Sequence, residues 1–209
     1  MHLKLQEITK RFGRQTIFKD ISIDISPPES LAIKGSNGSG KSTLLKIILG
    51  VLSPSTGKVS VEQNGKAIEH RLLIRYVGFC SPYLNLYDHL SAHENVLFHL
   101  KGFNRKIDSE FIDHLFDFFQ LRKARDKHLN TFSSGMIQRT RLIQAFASDP
   151  NMLLLDEPTA TLDEKGKLLV QEYLMKVKSK KDKLLIIASN DNDDLKLCEH
   201  VIDIEKFKP

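Results

Sequence analysis

The sequence predicts an α/β fold: strands and helices in alternation, carrying an antiparallel β hairpin and interrupted by a helical insertion. Three observations lead there. "ESLAIKG", residues 29–35, is a short apolar strand running into glycine, and "KSTLLKIILGVL" after it has the helical period. "NMLLLDEP" and "KLLIIASN" are apolar runs of the kind buried in parallel sheets, separated by the helical "EKGKLLVQEYLMKV". Between these halves lie two amphipathic helical patterns.

In chain order, "GKVSVEQNGKAI" follows the first helix and carries an Asn64-Gly65 hairpin signal. "SAHENVLFHLKG" reads as a helix that Ser91 and Glu94 start with a capping box. That cap leaves His89 outside the helix, which argues against a metal pair with His93. "SEFIDHLFDFFQL" is a second helix with Phe111, Ile112, Leu115 and Phe119 on one stripe. Residues 82–146 therefore form a helical subdomain, and residues 1–81 and 147–209 a core with a β subdomain, all within a single domain. No repeat or Gly/Ser linker divides the chain.

With 209 residues the chain buries about 70% of its unfolded surface and needs no disulfides. Cys80 and Cys198 have no metal-finger spacing and read as small buried residues in a reducing compartment. No signal-peptide pattern opens the chain, and no apolar stretch reaches the ~20 residues of a membrane span, so a soluble, unexported protein is expected. The charge of +5 is dispersed except in "KVKSKKDK", a solvated loop, and no nucleic-acid partner is expected.

"GSNGSGKS", Gly35 to Ser42, fits G-x-x-x-x-G-K-[ST] between a strand and a helix. Gly35, Ser36, Asn37, Gly38, Ser39 and Gly40 would turn backbone N–H groups onto phosphate oxygens, Lys41 would reach the outer phosphates, Ser42 would ligate Mg²⁺, and Thr43 would face the α-phosphate. A dinucleotide fingerprint fails, because Thr43 stands where its third glycine belongs. Asp156 ends an apolar strand and would reach Mg²⁺ through water. Glu157 points elsewhere and would be the general base for attack on the γ-phosphate.

These motifs suit any phosphate-loop NTPase, small-molecule kinases included, until "FSSGMIQR" is reached. This stretch resembles the signature of ATP-binding cassette proteins, usually L-S-G-G-Q: here Phe132, Ser133, Ser134, Gly135 and Met136 occupy those positions. The resemblance runs from "RFG", with Phe12 at the adenine-stacking position, to "TATLD", with Asp163 in the D-loop. It implies a P-loop NTPase (RecA-like) core with an antiparallel β subdomain and a helical insertion. It also implies ATP and Mg²⁺ as cofactors, and a homodimer or heterodimer of ATPase subunits with ATP sandwiched between one phosphate loop and the other chain's signature. Transmembrane permease subunits would be partners, and the protein would be cytoplasmic and peripheral on the inner face of the cell membrane. The short length and "KGSNGSGKSTLL" are similar to compact export-type ATPases, such as the haem exporter ATP-binding subunit and ABC-2 exporter ATPases. A soluble cassette of translation or DNA repair usually has paired cassettes or coiled-coil insertions, and neither is present.

Two positions depart from the family pattern. Its Q-loop glutamine falls on Pro82, which has no side-chain donor or acceptor; water is expected in its place, with Ser81 or Asn85 as alternatives. The adjacent "PYLNLYDHL", with Tyr83, Leu84, Leu86 and Tyr87, either packs the subdomain joint or receives a permease coupling helix. The second departure is Ser189-Asn190 where the family has Thr-His. Asn190 donates an amide hydrogen bond but neither charge nor a transferable proton. Its loss of electrostatics would slow hydrolysis on the order of 10²-fold, unless Asn190 is a neutral variant. A nearly non-hydrolysing, ATP-gated regulatory module is the alternative function.

Overall fold

In the computed structural model, which describes residues 1–209, β1 (His2–Phe12) and β2 (Gln15–Ile25) form a long antiparallel hairpin turning at Gly13, φ +57°. Periodicity does not predict this hairpin: Glu7 and Asp20 adopt left-handed conformations and the β1–β2 register shifts between Leu5 and Ile8, which breaks the alternation. β3 (Ser30–Lys34) leads through the glycine loop into α1 (Lys41–Ile48). β4 (Thr56–Gln63) and β5 (Lys66–Ile68) form the expected hairpin, with φ +52° at Asn64 and +72° at Gly65 as a primed turn requires.

β6 (Val77–Cys80) precedes three helices, α2 (Ala92–Gly102), α3 (Ser109–Phe118) and α4 (Ser134–Phe146). The capping box forms at α2: Ser91 Oγ accepts the Glu94 N–H at 3.1 Å and Glu94 Oε2 accepts the Ser91 N–H at 2.8 Å. His89 lies ahead of that helix, and the His93 ring packs on Arg125 instead of on His89. On α3 and its C-cap, Ile112, Leu115 and Phe119 are buried and Phe111 is half-buried, with Phe116 added to the buried stripe. β7 (Met152–Asp156), α5 (Glu164–Ser179), β8 (Leu184–Ser189), α6 (Asn192–Leu195) and β9 (His200–Asp203) complete the chain.

The strands make two sheets, antiparallel β2-β1-β4-β5 and parallel β6-β7-β8-β3-β9. Strand alternation divides the parallel sheet's apolar residues between its faces. Met152, Leu154, Leu184 and Ile186 join the core beneath α1 and the antiparallel sheet; Leu153, Leu155, Leu185 and Ile187 join the one beneath the helices. Leu142, Ile143 and Phe146 of α4 belong to this second core. The carboxyl ends of β3, β7 and β8 emerge side by side, which is where open α/β sheets bind ligands.

Candidate nucleotide site

The loop from β3 to α1 is tightly specified. A Cβ at Gly35 would lie 2.5 Å from Ser39 Oγ, and Gly40, at φ +109°, would place one 2.7 Å from Ile17 Cγ2. α1 begins with no side-chain cap and no acidic residue in its first turn, so its leading N–H groups are left for an anion. Lys41, almost fully buried, folds back and donates from Nζ to the carbonyls of Gly35 at 2.7 Å and Ser36 at 3.2 Å. Beyond the reach of sequence reasoning, Glu205 from the C-terminal turn accepts hydrogen bonds from the Ser36 hydroxyl and, at 3.0 Å, its N–H. These bonds hold the Glu205 carboxyl below its ordinary value.

A cleft of about 550 Å³ opens over the loop. Ser36, Asn37, Gly38, Gly40, Lys41, Ser42 and Thr43 line one side, and Pro82, Glu157 and Asn190 the other. Ile17, Tyr83 and Ala160 also face it; Ile17 lies in no motif, while Tyr83 and Ala160 belong to "PYLNLYDHL" and "TATLD" without having been assigned to the cleft. Gly35, Ser39 and Asp156 are buried and do not line it.

Asp156, at the tip of β7, is buried; its Oδ2 accepts the Ser81 hydroxyl at 3.1 Å and its Oδ1 has no partner. Burial pushes its carboxyl up from the ordinary range, opposed by the Ser42 and Ser81 hydroxyls. No three His, Cys, Asp or Glu residues gather anywhere to hold a metal by themselves. A lone buried carboxylate oxygen beside a hydroxyl suits Mg²⁺, which takes its remaining ligands from phosphate and water. Of the side chains considered in place of the missing glutamine, Ser81 reaches this carboxylate, whereas Asn85 lines a separate groove.

Glu157 takes a left-handed φ of +46° and its N–H bonds the Ala188 carbonyl at 2.8 Å, which turns its side chain out of the strand line and into the cleft. Its Oε1 lies 3.1 Å from Lys41 Nζ, an ion pair without hydrogen-bond geometry. Its Oε2 is 3.1 Å from Ser189 Oγ and 3.4 Å from the Asn190 N–H. Asn190 donates its side-chain amide to Asn37 Oδ1 at 3.2 Å, tying the β8 tip to the phosphate loop. Gln138 of α4 donates to the Pro158 carbonyl at 3.1 Å, linking that helix to the segment after Glu157.

The sequence model described as ABC transporter matches residues 18–160. The chain belongs to the ABC transporter family. The cassette is 32% identical to the probable sulfate/thiosulfate import ATP-binding protein CysA of Chlorella vulgaris, over 100% of this chain and 89% of that one. It is 30% identical to the Nod factor export ATP-binding protein I of Rhizobium johnstonii, over 97% of this chain and 66% of that one. It spans under two thirds of several relatives, 61% of the CysA protein of Rhodopseudomonas palustris among them. The dimeric structure of MJ0796, a bacterial ABC transporter cassette, superposes with a TM-score of 0.85 at 26% identity over 97% of this chain and 94% of that one. A post-hydrolysis state of the same cassette, bound to ADP and Pi, gives 0.84. The fold is that of ABC ATPase cassettes, the family's cassettes are ATPases that bind ATP with Mg²⁺, and they dimerise and serve transmembrane permeases.

The remaining site residues do not line the cassette's own cleft. Ser133 caps α4, its Oγ accepting the Met136 N–H at 3.3 Å, and Ser134, Gly135 and Met136 form the first helical turn. Asp163 caps α5, its carboxylate accepting the Gly166 N–H at 2.8 Å. Phe12 ends β1 with its ring half exposed and the Lys10 ammonium 4.8 Å above it. None of these lines the cleft.

Proposed function

We propose that the cassette hydrolyses MgATP and powers a membrane-embedded permease at the inner face of the cell membrane, working in the export direction. The observation that carries the reading is the Glu157 carboxylate, set across the cleft from the phosphate loop and 3.1 Å from Lys41 Nζ. With ATP in the loop, Lys41 exchanges the Gly35 and Ser36 carbonyls for phosphate oxygens, Asn190 donates its amide toward the terminal phosphate, and Glu157 takes a proton from the attacking water. Bound Mg²⁺, held through Ser42 and Asp156, would neutralise phosphate charge. Phe12 stacks the adenine, and Ser133, Ser134, Gly135, Met136 and Asp163 act on the ATP of the opposite cassette in a head-to-tail dimer. That Ser133 to Met136 and Asp163 do not line the cassette's own cleft supports this arrangement.

Glu157→Gln separates binding from hydrolysis. Phosphate release should fall about 10²- to 10⁴-fold, while ATP binding persists and the protein runs as an ATP-dependent dimer on size exclusion. Retained turnover would reject the base assignment. The export direction rests on the resemblance to compact export-type ATPases and on the likeness to a Nod factor export protein. Its test is the direction of ATP-driven flux in inverted vesicles carrying the cassette with its permease.

A second reading, an ATP-gated module with little hydrolysis, is favoured by Pro82 and Asn190 lining the cleft. Wild-type phosphate release no faster than that of Glu157→Gln would select it.

The permease docks, in this reading, on the groove of about 280 Å³ among Leu84, Leu86, Tyr87, Phe98 and Phe103. Tyr83, Tyr87 and Phe98 are each more than half exposed beside it, more apolar surface than closing a joint requires. Leu84→Asp with Tyr87→Asp, both in the groove and neither lining the nucleotide cleft, should abolish permease co-purification and leave ATP binding at the phosphate loop in place. Intact co-purification would reject the assignment.

A further inference from the structure

Behind Glu157, away from the cleft, side chains from three segments meet out of reach of solvent. Ser189 at the tip of β8, Thr159 in the loop after β7 and Asp194 of α6 are 0%, 3% and 1% exposed. Thr159 Oγ1 donates to Asp194 Oδ2 at 2.9 Å. Ser189 Oγ lies 2.8 Å from the same Oδ2 and 3.1 Å from Glu157 Oε2. A serine hydroxyl has one hydrogen, and here two carboxylates compete for it.

The outcome depends on the proton count. With Asp194 charged, the Ser189 hydrogen goes to the nearer Oδ2, and Glu157 Oε2 keeps only the long contact to the Asn190 N–H at 3.4 Å. With a proton on Asp194 Oδ2, that O–H donates to Ser189 Oγ, and the serine hydrogen turns to Glu157 Oε2. Asp194 Oδ1 is buried without a partner, so Oδ2 is the oxygen through which the carboxyl acts.

We propose that Asp194 is a positioning residue for hydrolysis: acting through the Ser189 hydroxyl, it sets whether Glu157 Oε2 is free to take the proton of the attacking water or is already committed as an acceptor. The inference rests on Glu157 being the general base. It places a pH-sensitive role at this strand tip in the pair behind Asn190, which itself has no proton to exchange.

The surroundings bring the exchange into an accessible range. Burial pushes the Asp194 carboxyl up to about 6, opposed by the Ser189 and Thr159 hydroxyls and aided by the negative charges of Asp191 and Glu157. Lys167 of α5 is spent on Asp191 at 3.1 Å. The Cys198 thiol beyond α6 is pushed up to about 12 by burial and stays neutral. The titratable residue of β3, which also packs on α6, is the exposed Lys34.

Phosphate release at saturating MgATP, followed from pH 5 to 7.5, tests this with wild type, Asp194→Asn, Ser189→Ala, the double variant and Glu157→Gln. The ratio of wild type to Ser189→Ala should rise about tenfold across that range as Asp194 ionises. Asp194→Asn, a fixed mimic of the protonated form, should stay low and keep a constant ratio to Ser189→Ala. Adding Ser189→Ala to it should restore turnover to the Ser189→Ala level, because no hydroxyl remains to commit Glu157. A purely structural Asp194 gives a loss that Ser189→Ala does not relieve, and a wild-type ratio that is flat with pH; either result overturns the proposal. The wild-type ratio decides the matter even where Asp194→Asn fails to fold. Turnover retained by Glu157→Gln overturns the base assignment instead, whatever the profiles show.

Discussion

Gly40 is the most constrained residue of the phosphate loop. At φ +109° an L side chain is strained, and its Cβ would also meet Ile17 Cγ2 at 2.7 Å and Phe18 Cδ1 at 3.1 Å. Gly38, at φ +78° with open space around its Cβ position, carries the conformational cost alone. Gly40→Ala should therefore destabilise the protein by about 1–3 kcal/mol and abolish ATP binding, because relief of the clash moves the N-terminus of α1. Gly38→Ala should lose stability toward the low end of that range and retain a measurable affinity. Urea unfolding and nucleotide titration of the two variants check the pair, and equal effects would show that contact with Ile17 and Phe18 is unimportant. At this scale the loop glycines, Lys41, Ser42, Asp156 and Glu157 are legible in the sequence because each motif is contiguous. Ser81 is legible only as one of two stand-ins for the missing glutamine, without its Asp156 partner, and Asp194 is not legible, since nothing in "NDNDDL" records which strand tip faces it.

Short-range chemistry decides several elements. The Ser91–Glu94 box starts α2 where the sequence places it, with both reciprocal bonds formed. Ser91→Ala should cost about 1 kcal/mol and lower the melting temperature by about 2–4 °C for a chain of this size. Differential scanning calorimetry checks it; an unaltered melting temperature would mean that packing of Val96 and Leu100 sets this helix start alone. The Asn64-Gly65 turn is legible for the same reason, as both residues tolerate positive φ. The β1–β2 hairpin is not, because left-handed Glu7 and Asp20 shift its register and remove the period-2 signal. Asp163 and Ser133 show a different limit: each is proposed to contact the nucleotide of the opposite cassette, and within one chain each is occupied as a helix cap.

Across the whole molecule, the parallel sheet serves two cores, and the helical segment has no core of its own. Leu142, Ile143 and Phe146 of α4 pack in one cluster with Leu153, Leu155, Leu185 and Ile187 from the sheet. Residues 82–146 expressed alone should lack a cooperative thermal transition and bind a hydrophobic dye, because removing the sheet exposes this surface. A sharp melting curve by circular dichroism would overturn that expectation. The same packing lets Gln138 of α4 hold the Pro158 carbonyl, which ties that helix to the segment after Glu157. By itself, the sequence determined the phosphate loop, the acidic strand tip, the Ser91–Glu94 cap and the alternation of strand and helix, all of which depend on residues close together in the chain. Tertiary structure alone decided that Ser81 reaches Asp156, that Glu205 holds Ser36, and that Thr159, Ser189 and Asp194 meet behind Glu157. Those contacts depend on the strand order β6-β7-β8-β3-β9, which long-range burial of apolar strands selects and no local pattern encodes.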